Sequence, residues 1–168
     1  MISQIVIPLD KEETGGSLFG KLAQAGAELL IKTLPSIEQG TAVAEKQQEE
    51  SPTPYAAMIT KQMGLINFGK SAEELERLVR GLNPWPSAYT FVNGKTLKVW
   101  KSSVSQETSD AQPGTVILTD KAGIHVACKE GVLLLTEVQL EGKKRMDAET
   151  FLRGYHMEQG TVFIDHKE

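Results

Sequence analysis

The densest positive charge in the chain is Lys143-Lys144-Arg145, with Arg153 shortly after it and Lys98 and Lys101 on an earlier extended stretch. Clustered ammonium and guanidinium groups suit one kind of chemistry, the neutralisation of phosphates, which positions an RNA without reading its sequence. The plainer alternative is a solvated loop. Lys98 shares strand parity with Trp100, and Val99 shares it with Lys101, so strict alternation divides these lysines between two faces. Groups that break bonds are scarcer. His125, His156 and His166 have no metal-ligand spacing with Cys128 or with one another. His125 alternates with apolar neighbours and reads as a surface or partly packed strand residue rather than a base. Cys128 lies in an apolar run and reads as a small core residue. There is no nucleophile elbow and no glycine-rich phosphate loop after a strand. Gly15-Gly16 before a helix is a weak anion signal. No catalytic residue and no metal ligand is assigned.

The elements that must carry these cations follow from pattern. Ser71 and Glu74 form a capping box that opens a helix, and Leu75, Leu78, Val79 and Leu82 line its buried face. Asn83-Pro84-Trp85-Pro86-Ser87-Ala88 stops it, because a proline pushes the preceding residue out of the helical region. That corner reads as rigid, with a packed tryptophan. Strands are expected at Tyr89–Val92 and Thr96–Val104 around the hairpin signal Asn93-Gly94. Further strands fall at Thr115–Thr119, Ile124–Cys128 and Val132–Leu140. Five short strands predict a small barrel of the oligonucleotide-binding (OB) type, closed or nearly so. Asp147 caps a short helix ending at Gly154, and Tyr155 to Phe163 is extended.

Upstream, Met1 to Pro8 reads as a strand, and Thr14 caps a helix from about Gly16 to Leu34. Leu18, Leu22, Ala25, Leu29 and Leu30 form its stripe, with Gly26 beside it for close approach. Pro35 and Gly40 mark its end. One strand and one helix cannot cover their own apolar faces, so residues 1–40 read as the end of a domain whose beginning is absent. Residues 41–58 read as a polar, proline-punctuated linker with Lys61-Gln62-Met63-Gly64 a turn beyond it, and residues 59–168 as a complete domain. The 168 residues carry a formal charge of −4, held entirely by residues 1–58. That balance lacks the overall basic excess of many nucleic-acid binders and leaves only a local patch as a candidate. A single cysteine allows no intrachain disulfide, there is no signal-peptide pattern, and no apolar run approaches the ~20 residues of a membrane span. A cytoplasmic chain without a membrane partner is expected.

Taken in order, several motifs resemble one family. They are Ile66-Asn67-Phe68, a helix with Arg77 and Arg80, Asn83-Pro84-Trp85-Pro86-Ser87-Ala88, and Gly94-Lys95 followed by Leu97-Lys98-Val99-Trp100. Pro113-Gly114-Thr115-Val116 and Gly142-Lys143-Lys144-Arg145-Met146 come next, then Phe151-Leu152-Arg153-Gly154. The chain is similar to the C-terminal half of the methionyl-tRNA formyltransferase family over nearly its whole length. The resemblance implies an α+β organisation. A strand and helix from a Rossmann-like formyltransferase domain lead through a linker to an OB-like five-stranded β-barrel with flanking helices. It implies that 10-formyltetrahydrofolate and the reacting Asn, His and Asp belong to an upstream half, so that this chain alone binds no cofactor and is inactive. It implies initiator methionyl-tRNA as the partner, with Lys61, Lys98, Lys101, Lys143, Lys144 and Arg145 as tRNA contacts. Lys61 is included because it lies in the connection between domains. The missing N-terminal catalytic domain is the other partner, and without it the chain is expected to self-associate through residues 1–40.

The sequence departs from the family pattern at Asn67 and Phe68, where an acidic residue and Trp are usual, and at Ser87, commonly Gly. Local repacking is expected at the first two and a less relaxed turn at the third. Two other readings remain open: a stand-alone RNA-binding OB-like module, and part of a sugar-nucleotide formyltransferase.

Overall fold

The computed structural model describes residues 1–47, 50, 53 and 55–166. It divides into two compact units, Met1–Met58 and Ile59–Glu168.

In the first unit Thr14 caps helix α1, Gly15–Glu38, through a capping box with Ser17. The helix continues past Pro35, where breaking was expected to start, and is capped by Gln39, just before the expected stop at Gly40. Proline removes one helical N–H and crowds the preceding turn, but here the chain takes up three more helical residues, and Gln39 and Gly40 donate back to Pro35 and Ile37. Residues 1–8 form no strand. A strand needs a neighbour for its backbone groups, and among the described residues only Met1 of this segment finds one, exchanging hydrogen bonds with Glu45. Ser3 reaches Thr33 at 2.8 Å, and Lys21 pairs with Asp10 and Glu13, both at 2.5 Å. No residue of α1 is buried, and nothing approaches Gly26. Phe19, Leu22, Leu30, Ile31, Leu34 and Ile37 are exposed. The linker expectation falls partly on residues 48, 49, 51, 52 and 54, outside the described set.

The second unit is built on α2, Ala72–Gly81, whose N-cap Ser71 and Glu74 satisfy each other's backbone donors as the capping-box signature requires. Ala72, Leu75 and Val79 are buried beneath an antiparallel sheet. Its strands are β1 Ala88–Val92, β2 Lys95–Val104, β3 Val116–Thr119, β4 Ile124–Ala127, β5 Val132–Leu140 and the short β6 Met146–Asp147. The order is β1-β2-β5-β4-β3, with β6 on β5. Asn93 and Gly94 both take positive φ, 49° and 70°, the geometry a two-residue hairpin turn demands. Helix α3, Ala148–Gly154, is capped by Asp147 and contributes Phe151 to the core.

A barrel, closed or nearly so, was expected; the sheet does not close, because β1 and β3 do not pair. The C-terminal segment makes single bridges there, Ile164 to Phe91 and Val162 to Thr115. Leu75, Leu97, Ile124, Leu133 and Leu135 lie at the centre of the core, each fully buried. Each such side chain stabilises the fold by about 1.5–3 kcal/mol relative to exposure. Phe68 packs on Phe163, ring centroids 6.0 Å apart, and Asn67 accepts from the Gly69 N–H at 2.9 Å. No helix among the described residues is long and apolar enough to cross a membrane.

Candidate nucleic-acid interface

A bulge on β2 decides which cations share a face. Val99 pairs with Val138 and Lys101 with Glu137, so Trp100 is the extra residue on β2. The next pair, Ser102 with Leu135, leaves Thr136 as the extra residue on β5. The two irregularities compensate. Between them, Lys101 is turned out of the core-facing phase of Val99 and onto the solvent face. Strict parity placed Lys98 and Lys101 on opposite faces, and the bulge overturns that: Lys101 is exposed and Val99 is buried.

A connected polar network forms on this face. Arg145 donates to both oxygens of Glu137, at 2.5 and 2.8 Å. Its guanidinium lies 4.6 Å from the centroid of the Trp100 ring, and the Lys98 ammonium lies 5.6 Å from the same centroid. Lys101 approaches Glu137 at 3.9 Å. The Trp100 indole donates to the Gln139 side chain at 3.2 Å, and Gln139 donates to the Lys143 carbonyl at 3.0 Å. Gly142, at φ +77°, turns the chain there. The Arg145 guanidinium holds the Glu137 carboxyl below its ordinary range, against the opposing effect of partial burial. Lys98, Gln139, Glu141 and Gly142 line a shallow depression beside the cluster.

Of the six expected contacts, Lys98, Lys101 and Arg145 are thus brought together, and Lys143 and Lys144 project from the loop that Gln139 and Arg145 hold. Lys98, Lys143 and Lys144 make no ion pair among the described residues. Lys61 opens a 3-10 turn, Lys61–Gly64, that leads into a bridge between Leu65 and Tyr89 of β1. Among the described residues, no hydrogen bond or ion pair joins Lys61 to the cluster. Arg153 pairs with Glu149 at 2.7 Å on α3. Glu137 and Gln139 were not singled out from sequence, and Trp100 was noted only for its parity with Lys98 and as part of a family motif. Gln139 faces Lys98 in regular register, whereas the bulge sets Glu137 opposite Lys101, and nothing in the local pattern marks it.

The proline-rich corner is joined to the same place. Asn83 donates its side-chain amide to the Trp100 carbonyl at 3.0 Å. The Asn83–Pro84 and Trp85–Pro86 peptide bonds are cis. Trp85 itself is 57% exposed, so the packed indole expected at this corner is not found; the buried residue is Ser87, at φ 68°.

His125 is likewise not at the surface. It is buried, with Nδ1 3.1 Å from the Ser105 hydroxyl and Nε2 3.4 Å from Asp120. Both partners serve turns, since Ser105 accepts from the Glu107 N–H and Asp120 from those of Ala122 and Gly123. The three residues tie the loop after β2 to the β3–β4 turn.

This sheet with its capped helices is that of a known domain class. Residues 58–156 match the family described as formyl transferase, C-terminal domain, and the chain belongs to that family. Among curated relatives, the methionyl-tRNA formyltransferase of Lachnospira eligens is 49% identical over 161 residues, covering 93% of this chain and 51% of that protein. The Agathobacter rectalis enzyme is 49% identical over 163 residues, covering 97% and 52%. The Bacillus subtilis enzyme is 45% identical over 163 residues, covering 96% and 51%. The chain therefore spans about half the length of the curated relatives it matches. Among solved structures, a variant of HypX from Aquifex aeolicus superposes with a TM-score of 0.58 at 17% identity, over 96% of this chain and 30% of that one. At that identity the likeness concerns the fold.

Proposed function

We propose that the chain is the RNA-holding C-terminal half of a methionyl-tRNA formyltransferase. The observation that carries this is the 49% identity to enzymes of that name across 93% of the chain, aligned with only half of theirs. In the whole protein the methionine amine of initiator methionyl-tRNA would attack the formyl carbon of a 10-formyltetrahydrofolate donor. An Asn, a His and an Asp of the upstream half would assist by proton transfer and oxyanion stabilisation. HypX, a neighbour in fold only, has been solved in complex with tetrahydrofolic acid. This chain supplies none of the reacting groups and is inactive by itself.

Its own contribution is to hold the tRNA backbone, with Lys98, Lys101, Lys143 and Lys144 as one surface around Arg145, and Lys61 as a separate contact nearer the domain connection. The antiparallel strands, with the C-terminal segment bridging β1 and the start of β3, support an OB-like reading. The exposed apolar side chains of α1 support packing against the upstream half, and self-association in its absence. The setting is cytoplasmic.

The test is binding of an initiator tRNA transcript to the chain across a salt series, alongside a formylation assay. Binding that falls steeply between about 50 and 200 mM salt, with no formyl transfer, is expected. Lys143→Ala with Lys144→Ala should lower the salt slope by about two, one for each phosphate contact. Salt-independent binding, or none at low salt, would overturn the reading.

A further inference from the structure

We infer that Arg145 does not contact RNA but is a positioning residue, which fixes the 142–145 loop so that Lys143 and Lys144 join Lys98 and Lys101 on one phosphate-binding surface. This rests on the RNA-holding role proposed above.

The reasoning begins with what each cation is free to do. The Nε and Nη2 of Arg145 are both committed to Glu137, one to each carboxylate oxygen. This is the paired, planar geometry in which a guanidinium binds a carboxylate best, and it is the same geometry it would offer a phosphate. The charge of Arg145 is cancelled at contact distance by a carboxylate only 22% exposed. An incoming phosphate would have to displace that carboxylate and leave it partly buried beside its own negative charge. The guanidinium is also laid against the Trp100 ring at 4.6 Å, which gives it packing as well as pairing. Among the described residues Lys98, Lys143 and Lys144 pair with no carboxylate, and Lys101 stands off Glu137 at 3.9 Å.

A second observation concerns the loop. Two exposed lysines on a turn have no reason to keep one arrangement, since fixing such long side chains costs rotamer entropy. Here the turn is gripped at both ends. Gln139 holds the Lys143 carbonyl, and Arg145 ties the far end to β5 just before Met146 and Asp147 pair with Val138 and Glu137. The same Glu137 faces Lys101 across the strands. One carboxylate therefore sets the relation between the loop and β2, and Arg145 is its link to the loop.

The experiment uses the full 168-residue chain and an initiator tRNA transcript, titrated at several salt concentrations. The variants are Arg145→Lys, Arg145→Ala, Glu137→Gln, the double variant and Lys143→Ala. Unfolding midpoints well above the assay temperature in every variant would separate local from global effects. Arg145→Lys keeps the charge but loses the two-point grip. It should weaken binding as Arg145→Ala does, by about three- to tenfold, the scale of one net hydrogen bond or partly exposed ion pair, with the salt slope unchanged. Glu137→Gln should weaken binding similarly, and the double variant should add little to either. Lys143→Ala should instead lower the slope by about one. Native binding by Arg145→Lys, or a slope lowered by Arg145→Ala, would make Arg145 a phosphate ligand and overturn the inference while the RNA reading stands. Tighter or unchanged binding by Glu137→Gln would also overturn it. If Lys143→Ala changes neither affinity nor slope, the RNA surface itself is wrongly placed.

Discussion

The side-chain amide of Asn83 donates to the main-chain carbonyl of Trp100 at 3.0 Å, across 17 residues of sequence. A bulge leaves its extra residue out of the ladder, and the helix-ending corner supplies what the ladder does not. Asn83→Ala should cost about 1 kcal/mol, the usual net value of one partly buried hydrogen bond. In a domain of this size that is a fall in Tm of roughly 4–8 °C. Asn83→Asp should cost more, because it places a carboxylate against a carbonyl oxygen. Thermal unfolding followed by circular dichroism measures both, and an unchanged Tm for Asn83→Ala would mean that the bulge does not depend on this bond.

Ser87 is buried and sits at φ 68°, a region in which a side chain costs roughly 1–2 kcal/mol and glycine nothing. Its hydroxyl donates to the Pro86 carbonyl, which recovers part of that. Ser87→Gly should stabilise the fold by about 0.5–1 kcal/mol, and Ser87→Ala, which keeps the strain and loses the bond, should destabilise it by a similar amount. Urea midpoints of the two variants moving in the same direction would contradict this account.

Features that a few neighbouring residues determine were legible in the sequence. Ser71 with Glu74, Thr14, Asn93-Gly94 and Asp147 all act as their local chemistry predicts, because capping and tight turns are settled within four residues. Features that depend on a partner far along the chain were not. Met1 to Pro8 has strand-forming residues but no neighbouring strand. His125 is drawn inward by Ser105 and Asp120, and Trp85 is left outside. The candidate site divides the same way: Lys143-Lys144-Arg145 stands out as a charge run, but the shared face of Lys98 and Lys101 depends on a bulge at Trp100 that alternation cannot reveal. The resemblance to a family pointed to the corner and the loop. It did not indicate that Trp100 connects them.

Cys128 is buried among core residues, and burial pushes its thiol up to about 11. The thiolate is the reactive form, so two barriers, access and ionisation, act together. In the folded chain a thiol reagent at pH 8 should modify Cys128 at the rate at which the domain opens, and in denaturant it should react at once. A fast reaction of the native protein would place the sulfur at the surface.

The Glu137–Arg145 pair makes stability depend on pH with a definite sign. Arg145 lowers the Glu137 carboxyl below its ordinary 4.5 in the folded state, so the native protein binds fewer protons there than the unfolded chain does. The contribution of Glu137 is therefore fully present above that ordinary value and is lost as pH falls through the depressed folded one. A partly exposed ion pair with two-point geometry contributes up to about 1 kcal/mol. Glu137→Gln should be less stable than the native chain by about that much at pH 7. The gap should hold down to about pH 5 and close at lower pH, where the native carboxylate also becomes protonated. High salt should narrow it at pH 7 as well, because the Arg145 side chain is 40% exposed. Denaturant curves for both proteins from pH 7 to pH 3 would measure this. A gap that stays constant through the acidic range would show that Gln fails at position 137 for reasons of shape rather than charge.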